Sequence, residues 1–386
     1  MKKILVVVTD LNLGGVTTSV INFCNELSSR GESVHFLNMG MNDNAVISQM
    51  NPSIKHLRLM GLQKRWNLGA KTLKTTSGLE KMSLYPLVVI KKLTNRSEKW
   101  LNVVFHNYCI PKEYDAVVAF RQCAPCYYFA LNCVNAKKKI GFIHGALEHM
   151  GDISTWDRYF PELDKIACVS KACCEEFRNK YVEQKDRFAY VYNMFPIDDI
   201  RKKAKEEPNI VFSPEKFNIV TVSRIENATK GTDRIASVCK MLKDEGLSFH
   251  WYLLGDGPDM DYVVEEINQL EIEDVITLCG VQSNPHSYVK RADLSVLPTH
   301  TEAYSMTVIE SLIVGTPMIL TSYPGAEEAI QDGVNGFIVE QDDKALFEKI
   351  RQCILDIEKI EILKKSIFKK TISNDQAVNQ FMSLIE

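Results

Sequence analysis

Glu302 and Glu310 stand eight positions apart in Glu302-Ala-Tyr-Ser-Met-Thr-Val-Ile-Glu310, with small or polar residues between them. Pro298 to Tyr304 reads as a polar loop, and Ser305 as the N-cap of a helix that stops at Gly315 ahead of Pro317. A helix start offers free backbone N–H groups and a partial positive charge, which suit a phosphate or a hydroxyl-rich ligand. Ala303, Tyr304, Ser305 and Met306 would present them. Glu310, about one turn inside, cannot serve an anion. It suits a pair of vicinal hydroxyls such as those of a ribose, or, on a plainer reading, it stabilises the helix start. Glu302 in the loop can accept from a second sugar in the same way.

Arg224 and Lys230 add positive charge in the loop after the apolar strand Phe217 to Val222, ahead of a helix from Asp233 to Lys243. A pyrophosphate needs delocalised positive charge of this kind, whereas surface solvation alone would also explain two cations. Near the start of the chain, Lys3 to Thr9 is a strand, Asp10 to Gly15 a loop and Val16 to Ser29 a helix, followed by a strand at Ser33 to Leu37. Gly14-Gly15 permits a ligand to approach the backbone closely there. The full Gly-x-Gly-x-x-Gly is missing, so no nicotinamide or flavin site is expected. His144 follows the strand Lys138 to Ile143 and places an imidazole just past a strand end, where α/β sheets bind ligands.

Two other spacings resemble known sites without their context. Cys123-Ala-Pro-Cys126 follows a strand and opens a helix, as thioredoxin-like redox pairs do, but it is embedded in a long βα series and reads as structural thiols. Asp259-Met-Asp261 spells a metal-binding Asp-x-Asp, yet it follows a Gly-Pro turn where aspartates cap helices. No metal and no cofactor are expected.

The elements that position these residues alternate strand and helix throughout, which points to parallel sheets covered by helices. With 386 residues, 45% of them hydrophobic, the chain can fill two cores. A charged, proline-bounded stretch from Pro196 to Pro214 suggests the division: residues 1–197 as one Rossmann-like domain, 198–369 as a second, and a helix at about 370–386 returning to the first. No apolar run reaches membrane-spanning length, and Met1-Lys2-Lys3 leads into a strand rather than a signal peptide. A cytoplasmic location is expected, with the eleven cysteines reduced. The formal charge of -3 hides a basic segment, residues 64–99, in which nine Lys and Arg face only Glu80 and Glu98. Trp66, Leu84, Tyr85 and Val88 are among the apolar residues interleaved with them, a pattern that fits either an anionic membrane surface or an ordinary solvated face. No nucleic-acid motif accompanies the charge.

Taken together, Glu302 to Glu310, Arg224 with Lys230-Gly231, Ile143-His144-Gly145, Cys168-Val-Ser170, Gly325-Ala-Glu-Glu328 and Asp332-Gly-Val-Asn-Gly336 resemble the retaining glycosyltransferases of family 4, in particular those of bacterial surface polysaccharides. Ser223 departs from the family's usual glycine, and the Arg-to-Lys spacing is slightly long. The resemblance implies the GT-B fold, two Rossmann-like doubly wound domains facing a central cleft. It also implies sugar transfer from a nucleotide-sugar, with UDP the expected carrier, to a glycan or lipid-linked glycan. Arg224 and Lys230 would neutralise the donor diphosphate, Glu310 hold the ribose, and Glu302 and His144 orient the sugar or acceptor. An epimerase or phosphorylase on the same fold, or a non-catalytic nucleotide-sugar-binding subunit, are the alternatives.

Overall fold

The structure, a computed structural model, describes residues 1–11, 14–40, 44–59, 101, 102, 104–369 and 372–386. The basic segment at 64–99 lies outside the described residues. Contacts divide the chain into two compact units: 1–169 with 174–194 and 375–386, and 170–173 with 195–374.

In the first unit the described strands are β1 (Lys3–Val8), β2 (Ser33–Asn38), β3 (Lys55–Leu57), β4 (Ile110–Ala119), β5 (Val134–Ile143), β6 (Lys165–Cys168) and β7 (Phe188–Tyr190). They form one parallel sheet in the order β3-β2-β1-β4-β5-β6-β7. Continuous apolar runs make this possible, because a strand covered on both faces needs no alternation. The Gly15–Ser29 helix buries Val20, Phe23, Cys24 and Leu27 against the sheet. Phe23 is the centre of an aromatic cluster, with its ring 5.1 Å from Phe120, 5.5 Å from Phe142 and 4.8 Å from Phe381. Phe381 arrives on the helix Asp375–Leu384, which also buries Ala377, Val378 and Leu384 in this core.

The second unit repeats the plan with β8 (Phe217–Val222), β9 (Phe249–Leu254), β10 (Ile276–Gly280), β11 (Leu294–Leu297), β12 (Met318–Thr321) and β13 (Gly336–Val339) in the parallel order β10-β9-β8-β11-β12-β13. This is the strand order of a Rossmann sheet. Its order reverses between β8 and β11, as that of the first sheet reverses between β1 and β4. Loops at such reversal points diverge and leave a crevice at the carboxyl ends of the strands. The loops that leave β1, β4, β8 and β11 are therefore the ones that matter for a ligand. Among the described residues no helix is long and apolar enough to cross a membrane.

Candidate functional site

The loops after β8 and β11 flank the reversal point of the second sheet and are packed against each other without slack. Gly231 ends the short helix Asn227–Lys230 at φ 59°, and a Cβ there would lie 2.0 Å from the Pro298 carbonyl oxygen. The turn after β9 closes the same cluster. A Cβ on Gly255 would meet the Ser223 carbonyl at 1.8 Å, and one on Gly257 the Ile225 carbonyl at 2.1 Å. No real side chain tolerates such distances, so glycine alone lets the three loops nest. Hydrogen bonds then fix them. The Thr229 carbonyl accepts from Thr299 Oγ1 at 2.7 Å and from the His300 N–H at 2.9 Å, and Asp259 Oδ2 accepts from the Asn227 N–H at 2.7 Å.

That last bond refines the sequence reading of Asp259. It stands at the N-cap of the helix Met260–Gln269 but makes no side-chain bond to it, because its carboxylate is used to brace the neighbouring loop. Gln341, which the sequence did not single out, plays a similar part by donating Nε2 to the carbonyls of Thr299, His300 and Ser322 at 2.7–3.2 Å. An amide after a strand carries no sequence signal for this. The Gly-Asp-Gly at 255–257 did carry one.

Lys230 and Glu302 meet in an ion pair at 2.5 Å, with 26% and 13% of their side chains exposed. The ammonium has three donors, and Glu302 is its one described partner, so donors remain for an anion. Arg224 is 62% exposed and 3.4 Å from Glu226, a loose pairing that leaves most of the guanidinium open. Glu226 is also held by Thr229 Oγ1 at 2.5 Å. Two hydroxyls in these loops, Ser223 Oγ and Thr301 Oγ1, are buried without a hydrogen-bond partner among the described residues. Buried polar atoms rarely go unpaired, and such atoms beside an open crevice point to a ligand or water.

The helix after β11 runs Met306–Val314, with Ser305 at the N-cap and Gly315 at the C-cap in the left-handed conformation, φ 87°. Ser305 makes no side-chain cap bond, so the first-turn amides are not consumed by it. Thr307 Oγ1 donates to the Val222 carbonyl at 3.2 Å and ties this helix start to the end of β8. Ala303 and Ser305 are buried, and burial pushes the Tyr304 phenol well above its usual range. Glu310 keeps part of its surface open but sits in a recess deep enough to raise its carboxyl from 4.5 to about 7. It has no hydrogen-bond or ion-pair partner among the described residues. The plainer reading of Glu310, a helix-start stabiliser, explains neither its depth nor the lack of a partner.

In the first unit, His144 follows β5. Its Nε2 lies 2.7 Å from the Phe120 carbonyl, and its backbone N–H donates to Gln122 Oε1 at 2.9 Å. A carbonyl only accepts, so Nε2 carries the proton and Nδ1 is left as an acceptor. Burial lowers the imidazole to about 4, with the Arg121 charge adding to that and the Phe120 bond opposing it. The ring is therefore neutral at physiological pH. Gly14 takes φ 147° at the N-cap of the Gly15–Ser29 helix, and among the described residues nothing lies within 4 Å of where its Cβ would be, so the backbone there is bare to solvent. His144 and the Gly14-Gly15 turn belong to one unit, and Arg224, Lys230, Glu302, the 303–306 backbone and Glu310 to the other.

Comparison with known proteins fits this geometry. The family model described as "Glycosyl transferases group 1" matches residues 202–370, within the second unit. The chain is 26% identical over 205 residues to a poly(glycerol-phosphate) alpha-glucosyltransferase of Bacillus subtilis, covering 52% of this chain and 28% of that one. It is 25% identical over 199 residues to N-acetylgalactosamine-N,N'-diacetylbacillosaminyl-diphospho-undecaprenol 4-alpha-N-acetylgalactosaminyltransferase of Campylobacter jejuni, covering 51% and 52%. The chain thus spans about half, or less, of the length of these curated relatives. Among solved structures, a mutant of S. aureus TarM in complex with Fondaparinux, alpha-GlcNAc-glycerol and UDP superposes with a TM-score of 0.71 at 14% identity, over all of both chains. Such likeness shows the fold, which is GT-B.

Proposed function

We propose, from the premise that residues 202–370 are a glycosyl transferases group 1 domain, that the chain transfers a sugar from a nucleotide-sugar, with uridine diphosphate as carrier, to a glycan or lipid-linked glycan. Anomeric configuration is retained. Glu310 carries the proposal: a recessed carboxylate with no described partner, one turn into a helix whose start faces a ligand crevice, matches the two hydroxyls of a ribose. The relatives named above support the reaction class, and the UDP in the TarM complex supports the carrier. The C. jejuni relative's name includes a diphospho-undecaprenol, which supports a lipid-linked acceptor.

Breaking the sugar–phosphate bond builds negative charge on the departing diphosphate and positive charge at the anomeric carbon. Preorganised donors aimed at the growing charge lower the barrier because they need no reorganisation as the bond breaks. Lys230, Arg224 and the 303–306 backbone supply them. Glu302, already bonded to Lys230, orients that ammonium and offers its second oxygen to a sugar hydroxyl. Neutral His144 accepts a hydroxyl hydrogen at Nδ1. In this reading the charge is met by the protein's own cations, without a metal cofactor, so turnover survives EDTA. The enzyme works in the cytoplasm, and residues 64–99 hold it to the anionic inner face of the membrane. Co-sedimentation with anionic vesicles that is salt-sensitive and absent with neutral vesicles supports the attachment, and equal recovery on both overturns it.

A calorimetric screen of nucleoside diphosphates followed by a transfer assay with the best donor tests the function. Sugar appearing on an acceptor sustains it. Interconversion of the donor alone would mean an epimerase, phosphate-dependent cleavage a phosphorylase, and tight binding with neither a non-catalytic subunit.

A further inference from the structure

The reversal point of the first sheet carries a feature that the proposed reaction does not use. Cys123 and Cys126 stand at the N-cap and third position of the nine-residue helix Ala124–Asn132, with Pro125 between them fixing the first turn. Cys123 has extended backbone, φ -158°, and its carbonyl accepts from the N–H groups of Cys126 and Tyr127, both at 3.1 Å. The two thiols differ in their surroundings. Cys123 is half-buried, with Thr9 Oγ1 3.7 Å from its sulfur, whereas Cys126 is fully buried and donates Sγ–H to the Val7 carbonyl at 3.1 Å.

We propose that Cys123 and Cys126 form a thiol–disulfide exchange site, with Cys123 as the attacking sulfur, Cys126 as the resolving one, and a small disulfide such as oxidised glutathione as the oxidant. A Cys-x-x-Cys across the first turn of a helix brings the two Cα atoms within the usual disulfide range. The asymmetry of the pair supplies the division of labour. With the Cys126 S–H committed to the Val7 carbonyl, the Cys126 backbone N–H and the Arg121 charge hold the Cys123 thiol below its usual range against the opposing effect of burial. Burial, and then the Cys123 sulfur, push Cys126 well above its own. The first thiol is thus the ready nucleophile, and the second keeps its proton until it is needed.

The exchange balances. Cys123 thiolate attacks one sulfur of glutathione disulfide, forming a mixed disulfide and releasing one glutathione thiolate. Cys126 then loses its proton to that thiolate and attacks Cys123 Sγ, expelling the second glutathione thiolate. The dithiol is oxidised by two electrons, and one glutathione disulfide becomes two thiols. Two cysteines make an incomplete set of metal ligands, and among the described residues no cluster of three His, Cys, Asp or Glu could hold a metal ion.

Oxidation removes the Cys126–Val7 bond at the end of β1 and draws in the segment that includes Phe120 and Gln122, the two partners of His144. Turnover should therefore differ between the oxidised and reduced enzyme, a consequence that rests on the proposed function. The thiol chemistry does not.

The full-length protein is equilibrated with mixtures of reduced and oxidised glutathione, quenched in acid, alkylated and mapped by mass spectrometry. The expected result is a reversible loss of two hydrogens from the peptide with Cys123 and Cys126, with fragment ions assigning the bond to that pair. Before oxidation, iodoacetamide at pH 7 should label Cys123 about tenfold faster than Cys109, which is exposed on the same unit. Cys123→Ser abolishes both, and Cys126→Ser stops the reaction at a glutathione adduct on Cys123. The proposal fails if the pair stays reduced at excess oxidised glutathione, or if wild-type Cys123 is labelled no faster than Cys109. These readouts need no sugar transfer, so they stand or fall apart from the proposed activity.

Discussion

His144 follows β5 in one unit and Glu310 follows β11 in the other, and burial drives each toward its neutral form. The chain treats the two differently. His144 is given a fixed acceptor in the Phe120 carbonyl and neighbouring rings in Phe120 and Phe142, 4.7 and 5.7 Å away. Its tautomer and orientation are settled before any ligand arrives. Glu310 has burial without a partner among the described residues, so its carboxyl is left near 7, costly to ionise. A group whose needs the fold meets acts as a fixed instrument, whereas one whose needs the fold leaves unmet is a demand on the ligand.

Five measurements break or sharpen this contrast. The largest effect belongs to the cations that face the leaving diphosphate. Arg224→Ala and Lys230→Ala should each lower kcat by about 10²–10³-fold with a smaller change in donor KM, since the charge they meet grows as the bond breaks. Equal losses in affinity and an unchanged kcat would move both residues from the transition state to simple binding.

Glu310→Ala comes next. Replacing a charged acceptor by water should weaken nucleoside diphosphate binding by about 1.5–3 kcal/mol, or roughly ten- to a hundredfold. A folded variant with an unchanged Kd removes Glu310 from the ribose site. The same residue sets a pH dependence. Hydroxyls that donate to the carboxylate favour its charged form, so affinity should rise with pH by at most about tenfold per unit and level off above about 7. Comparison with Glu310→Gln isolates this contribution from the titration of the diphosphate itself. Stability of the ligand-free protein runs the other way. A carboxyl raised from 4.5 to about 7 costs nothing below 4.5, progressively more up to 7, and its full penalty above. That penalty is at most about 3 kcal/mol, and Glu310→Gln should remove the slope in thermal melts between pH 4.5 and 7.

The smallest effect is an absence. With His144 lowered to about 4, the wild type and a His144→Asn variant should share the shape of their kcat profiles from pH 5 to 8 even as the variant loses turnover. A limb near 6.5 that vanishes in the variant would mean a titrating imidazole.

The legible parts of the molecule were those written in apolar runs and punctuation. Lys3–Val8, Phe217–Val222 and Met318–Thr321 are strands because their residues can be covered on both faces, and Ser305 and Gly315 bound a helix because one flanking position favours an N-cap residue and the other a left-handed turn. β3 is three residues of mostly exposed edge and left no such trace. Glu310 could be placed on its helix from the sequence, but its lack of a partner among the described residues is a statement about what does not approach it, and only the folded chain contains that. Gly255 and Gly257 announced a turn. That each lies against the backbone of another loop depends on a contact 32 residues away in the chain. The Cys123–Cys126 spacing was plain in the sequence, while the asymmetry between the two thiols lies in the acceptors and charges around them, which the spacing does not carry.

The helix Asp375–Leu384 belongs to the unit built from residues 1–169 and 174–194, where Phe381 packs on Phe23, Gln380 Oε1 accepts from the Tyr192 N–H and Asp375 pairs with Arg30. On the ribosome this fixes an order of events. Residues 195–374 are made in between, and at roughly 5–20 residues per second they keep the first unit waiting for about 10–40 s with an apolar groove beside Phe23 open to the cell. The second unit needs nothing from that helix to close its own core. Of the two units, the one whose synthesis begins earlier is thus the later to be completed.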